Sequence, residues 1–172
     1  MAHHHPPMDL LIEYATGALP VAQSACVAAH LSYCQHCRQL VERLEDVGGA
    51  HLERLDPQPV GESVLESVMA RLDDPEPLRY APNEASDTQL PGLLDRLING
   101  DYADLVWKRV TQSLSISYLK TGDPNHEFAL YRIAEGGRIP EHTHGGSEMT
   151  LVLHGGFADE SGEYHPGDFL VR

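Results

Sequence analysis

The segment His30-Leu-Ser-Tyr-Cys34-Gln-His-Cys37 constrains this chain more than any other. It presents one imidazole and two thiols as H-x3-C-x2-C, with His36 inside the C-x2-C. Neutral ring nitrogens and thiolates are the donors that suit zinc. On an unbroken helix His30 and Cys37 stand about 10 Å apart, at about 1.5 Å of rise per residue. Metal bonds of about 2.0–2.3 Å do not span that gap. The spacing therefore predicts a helix that ends near Tyr33 and a C-x2-C turn that opens the next one. A tetrahedral ion still needs a fourth donor, and His3, His4, His5 and Cys26 are the candidates. A C-x2-C also serves as a redox pair or as two buried thiols. No βαβ pattern surrounds this one, which argues against a thioredoxin-like site.

The helices around this segment follow from apolar spacing. Leu10, Leu11, Tyr14 and Ala15 give a first helix from Met8 to Gly17. The glycine provides its stop. The second starts near Pro20, a residue suited to a first turn. It runs to about Tyr33, with Ala22, Cys26, Ala29, His30 and Tyr33 on one face. The third begins near Cys37 and carries Leu40, Val41, Leu44 and Val47, and Gly48-Gly49 weakens it without necessarily ending it. After the Asp56-Pro57-Gln58-Pro59 linker comes a fourth helix, Glu62 to Leu72, with an apolar side of Val64, Leu65, Val68, Met69 and Leu72. Either it closes the bundle or its stripe waits for a partner. A core this small is marginal, and a bound metal would add folding energy.

Charge and length exclude several functions. The chain has 172 residues and a formal net charge of −14, with four basic against eleven acidic residues in 1–75. Phosphate contacts need a basic patch, so direct nucleic-acid binding is excluded and a basic protein partner is favoured. No apolar run approaches the ~18 residues of a membrane span, and no basic-then-apolar leader opens the chain. An odd cysteine count, three, argues against a disulfide framework. Together these point to the cytoplasm. His3-His4-His5 is read as a native N-terminus, not a tag remnant.

Beyond a polar, proline-containing linker with a short helix at Pro91 to Ile98, the pattern changes to short alternating runs at 105–110, 113–119 and 127–133. Glycine-containing turns separate them, which suggests a barrel or sandwich. Within this half, Gly136-x5-His142-Thr-His144-x3-Glu148-x6-Gly155 holds a second cluster. On an extended segment His142 and His144 point the same way, and Glu148 can return beside them on the next strand. Two imidazoles and a carboxylate suit zinc, iron, manganese or nickel. The fold class expected is multidomain α + β. Residues 1–75 form a four-helix zinc-binding domain, 76–100 a linker with a short helix, and 101–172 an antiparallel β domain.

Two resemblances cover most of the chain. The upstream histidine, the first helix ending in Ala-x-Gly, His30-x3-Cys34-x2-Cys37 and the detached fourth helix resemble the zinc-binding anti-sigma family. That resemblance implies His5 as the fourth ligand beside His30, Cys34 and Cys37; His5 is also nearest the first helix. It further implies that the helices wrap an extracytoplasmic-function, sigma-E-like factor and block its access to core RNA polymerase. The glycine-flanked His142, His144, Glu148 spacing resembles the first cupin motif, and Tyr164-His-Pro-Gly-Asp168-Phe resembles the turn and strand that come after it. In cupins a histidine beyond that strand is the fourth ligand, and the sequence stops at Arg172 before it. The expectation is a shortened cupin-like barrel with an unpaired edge, and His165 is the alternative ligand. Helical zinc domain and cupin-like domain together resemble the ChrR-type anti-sigma factors. The implied function is a non-enzymatic regulator whose cupin domain, holding a divalent metal with zinc as first choice, takes part in release under singlet-oxygen or oxidative stress. The alternatives are a metal-dependent cupin enzyme (dioxygenase or isomerase) with a helical accessory domain, with His154 as a candidate base, and a zinc sensor in which Cys26 attacks Cys34 or Cys37.

Overall fold

The computed structural model describes residues 2–61, 63–72, 91–98, 102–137 and 145–172. Its helices come first: α1 (Met8–Ala15), α2 (Val21–Tyr33), α3 (Gln35–Leu52), α4 (Ser63–Leu72) and α5 (Gly92–Ile98). Among the described residues seven short strands come after them: β1 (Lys108–Arg109), β2 (Leu114–Tyr118), β3 (Ala129–Ile133), β4 (Met149–Leu151), β5 (Phe157–Asp159), β6 (Gly162–Tyr164) and β7 (Phe169–Val171). No helix among the described residues is long and apolar enough to cross a membrane.

α1 buries Leu10 and Leu11. Gly17, at φ +71°, turns the chain out of this helix in a conformation that costs a side-chain-bearing residue more. α2 buries six side chains, His30 among them, and α1 packs on both α2 and α3. α3 begins at Gln35, two residues before the expected start, and continues through Gly48-Gly49 to Leu52. Its second half runs into solvent. Val47, expected on the buried face, is exposed because the core ends near Leu44. Every residue of α4 is exposed, so within the described residues its stripe of Val64, Leu65, Val68, Met69 and Leu72 is not part of the core. α5 lies where Pro91 to Ile98 predicted it and packs on α2, with Leu94 buried.

The β half is antiparallel throughout its described strands. β1, β2 and β3 form one sheet, β4 pairs with β7, and β5 with β6. Backbone bonds between Glu148 and Arg172 extend the β4–β7 ladder by one pair. One apolar cluster runs through both halves of the chain. Leu10, Leu11, Leu19, Cys26, Val27, Cys34, Cys37 and Val41 share it with Phe169 of β7, and Met149 and Leu151 of β4 pack against it. The four-helix expectation is thus met by three packed helices and a bare fourth. The helical half leans directly on the β4–β7 pair.

Candidate metal centre

The site forms where α2 stops. Cys34 leaves the helix with φ −116° and ψ 104°, and its backbone N–H still bonds to the His30 carbonyl at 3.1 Å. The same residue caps α3, with the Cys37 N–H donating to its sulfur at 3.4 Å. One extended residue therefore folds the seven-residue spacing back on itself. His30 Nε2 comes to 3.3 Å from Cys37 Sγ, in place of the ~10 Å of a straight helix. Both sulfurs sit at the N-terminal end of α3, where the helix dipole favours negative charge.

The fourth residue of the cluster is His5. Its Nδ1 stands 3.4 Å from Cys34 Sγ and 3.5 Å from Cys37 Sγ. Pro6-Pro7 joins it to α1, with Pro6 buried. One donor atom each from His5, His30, Cys34 and Cys37 lies within 4.8 Å of the others; His5 is exposed and the other three are buried. Tetrahedral bonds of about 2.0–2.3 Å put donor atoms roughly 3.3–3.8 Å apart. The separations of 3.3, 3.4 and 3.5 Å fall in that range, so these residues fit a four-coordinate ion.

The electrostatics suit ligation. Desolvation lowers the pKa of both His5 and His30, which keeps the rings neutral and their lone pairs available. Burial pushes the Cys37 thiol up to about 12, with the neighbouring Cys34 adding to the shift. Such a thiol gives up its proton at neutral pH only to a cation bound in its place.

The other sequence candidates lie elsewhere. Cys26 is buried in the α2 core, outside the four-residue cluster, and burial alone pushes its thiol up to about 12. His3 and His4 precede His5 and lie along β7, where the Phe169 N–H donates to the His4 carbonyl at 3.0 Å. His154 is exposed. His142 and His144 lie outside the described residues, while Glu148 is half-buried just before β4. His165 stands in the turn before β7, its ring edge-on to His3.

The surroundings hold supports that no sequence motif announces. His30 Nδ1 donates to the Gly167 carbonyl at 2.7 Å. The ring meets Phe169 edge-on, and the Tyr33 hydroxyl donates to the Leu153 carbonyl at 3.1 Å. Asp168 is fully buried. Burial opposes its charge, but the N–H groups of His165, His4 and His3 outweigh that and hold its carboxyl below the ordinary value. The Pro-Gly-Asp sequence was visible as a turn; its contact with His30 was not.

Comparison with known proteins identifies the family of the chain. Residues 96–172 match the family described as the ChrR Cupin-like domain. Over 168 residues the chain is 37% identical to the anti-sigma-E factor ChrR of Cereibacter sphaeroides, covering 98% of this chain and 78% of that protein. The chain belongs to the ChrR family of anti-sigma factors. Its structure also resembles the crystal structure of Rhodobacter sphaeroides SigE in complex with the anti-sigma ChrR. The TM-score there is 0.86 at 34% identity, covering all of this chain and 88% of that one. In ChrR-family terms, Gly167, Asp168 and Phe169 fall in the segment that matches the cupin-like domain, whereas His5, His30, Cys34 and Cys37 lie before it.

Proposed function

We propose that this protein is an anti-sigma factor. It sequesters an extracytoplasmic-function, sigma-E-like factor and blocks its binding to core RNA polymerase. One observation carries the reading: likeness to ChrR, a protein seen in complex with SigE, extends over the entire chain. Two features support it. Among the described residues every side chain of α4 is exposed, its apolar side included. The first 75 residues carry eleven acidic against four basic side chains, a balance that steers a basic partner. The protein regulates and is not an enzyme.

In the same reading His5, His30, Cys34 and Cys37 hold one zinc ion, which closes the α2–α3 corner and supplies folding energy to a small core. His142, His144 and Glu148 hold a second divalent metal in the cupin-like domain, and that domain releases the sigma factor under singlet-oxygen or oxidative stress. The boundaries 1–75, 76–100 and 101–172 mark the sigma-binding, linking and sensing parts.

The test is co-expression of the full chain with the extracytoplasmic-function sigma factors of its own genome. One stoichiometric complex and loss of transcription from that sigma factor's promoter are expected, with encounter weakening as salt is raised. Failure to capture any of them defeats the reading. The double variant His142→Ala, His144→Ala should repress normally and lose most of its induction in a reporter strain under singlet-oxygen generation. Full induction removes the second metal from the mechanism.

A further inference from the structure

Two histidine ligands of the metal centre are held from the other half of the chain. The Gly167 carbonyl, 2.7 Å from His30 Nδ1, can only accept. Nδ1 therefore carries the proton, and Nε2 is left as the lone pair facing Cys37 Sγ at 3.3 Å. A hydrogen bond on one ring nitrogen fixes which nitrogen binds the metal and how the ring is turned. Gly167 has φ +95°, and a Cβ there would sit 2.8 Å from the Tyr33 Cβ. Only glycine lets this carbonyl approach the end of α2 so closely.

The second hold acts on His5 through its backbone. Asp168 Oδ1 accepts the N–H groups of His3 at 2.5 Å and His4 at 3.0 Å, while Oδ2 accepts that of His165 at 2.8 Å. The Phe169 N–H donates to the His4 carbonyl. The segment leading into His5 is thereby pinned up to the residue before the ligand. The carboxylate that pins it is fully buried, and all three of its donors are backbone N–H groups.

We propose that the Gly167–Asp168 turn positions the metal ligands His30 and His5, so that metal retention in the helical half depends on the β half being docked. The inference rests on reading His5, His30, Cys34 and Cys37 as a metal site. Its consequence is reciprocal. Whatever detaches the turn loosens the metal, and loss of the metal weakens docking by the same factor. The two halves then share one equilibrium even though the sequence separates them.

The experiment uses the full chain loaded with Zn²⁺ or Co²⁺. Imidazole nitrogen NMR of the zinc-loaded wild type should show His30 protonated at Nδ1 and metal-bound at Nε2, with His5 bound through Nδ1. Asp168→Asn leaves an amide whose NH₂ faces backbone donors. It should release zinc to a chromophoric chelator about 10–100-fold faster, the range for loss of a ligand's orienting partner. Its cobalt ligand-field bands should also shift, which a general loss of stability in a folded protein does not produce. Where circular dichroism shows that Asp168→Asn is unfolded, the wild-type NMR result decides alone. Coordination of His30 through Nδ1 overturns the proposal. So does a folded Asp168→Asn with the wild-type release rate and cobalt spectrum. A wild type that takes up no stoichiometric metal overturns the metal-site reading and this proposal with it, whereas a metal-binding wild type with an indifferent Asp168 overturns the proposal alone.

Discussion

α2 and α4 are both rich in apolar residues, yet they have opposite fates. α2 buries six side chains and is enclosed by α1, α3, α5 and β4. α4 buries none, although Val64, Leu65, Val68, Met69 and Leu72 give it a comparable apolar side. The difference lies in how each helix is tied to its neighbours. α2 runs into Cys34 and Cys37, which fold the next helix back against it and let β7 pack over His30. α4 comes after the Asp56-Pro57-Gln58-Pro59 linker, with no ligand to draw it in. Apolar spacing reports which face needs cover. It does not report whether the cover comes from the same chain. Each large apolar side chain that a partner buries fully contributes about 1.5–3 kcal/mol, so α4 offers a partner a substantial anchor before the costs of association.

The strongest way to break this contrast is to remove the staple. Cys34→Ala takes away one sulfur of the four-residue cluster and the cap of α3 together. It should abolish stoichiometric zinc and melt the packed helices, because apparent binding energies of structural zinc reach about 10–16 kcal/mol. Metal analysis with a thermal scan checks this. Full zinc and an unchanged midpoint would show that the corner folds by packing alone.

Next in size is a matched pair of truncations. Leu11→Ala, at a side chain 1% exposed, should cost about 2–5 kcal/mol in urea unfolding of the metal-loaded chain. Leu65→Ala, at a side chain 69% exposed, should stay within about 0.5 kcal/mol and weaken sigma capture instead. Equal losses of stability would mean that α4 packs on its own bundle after all.

The smallest effect concerns Cys26. Its thiol is pushed by burial from the ordinary value of 9.0 up to about 12. The folded state keeps the proton that the unfolded chain releases above about 9. This contribution to stability is therefore intact below that pH and erodes as pH rises toward about 12. Alkylation of Cys26 at pH 8 should be slow, and should accelerate with pH before the protein unfolds. Mass spectrometry after timed labelling reads the rate. Rapid labelling at pH 8 would return Cys26 to the reactive thiols.

Short-range chemistry was legible in the sequence. The break after Tyr33, the C-x2-C opening a helix, the stop at Gly17, the helix before Ile98 and the strands at 114–118 and 129–133 all follow from spacing and turn residues. Donor identity singled out three of the four clustered residues, and family resemblance chose His5 over His3, His4 and Cys26. The fate of α4 stayed open, because a stripe looks the same whether its cover is internal or external. The contacts of Gly167 and Asp168 with the ligand segments were not legible either. They join residues more than 130 positions apart through backbone groups, which every residue has and no pattern marks.

That separation sets a schedule for biosynthesis. His30 and its acceptor at Gly167 are 137 residues apart. At about 5–20 residues per second, the ribosome delivers the second roughly 7–27 s after the first. During that interval the donors His5, His30, Cys34 and Cys37 are already synthesised while the turn that orients two of them has not been made. On the proposed site, capture of an ion by the nascent chain and its locking by the late segment would therefore be separate events in time. A nascent chain stalled before residue 165 should hold its metal more loosely than the finished protein does.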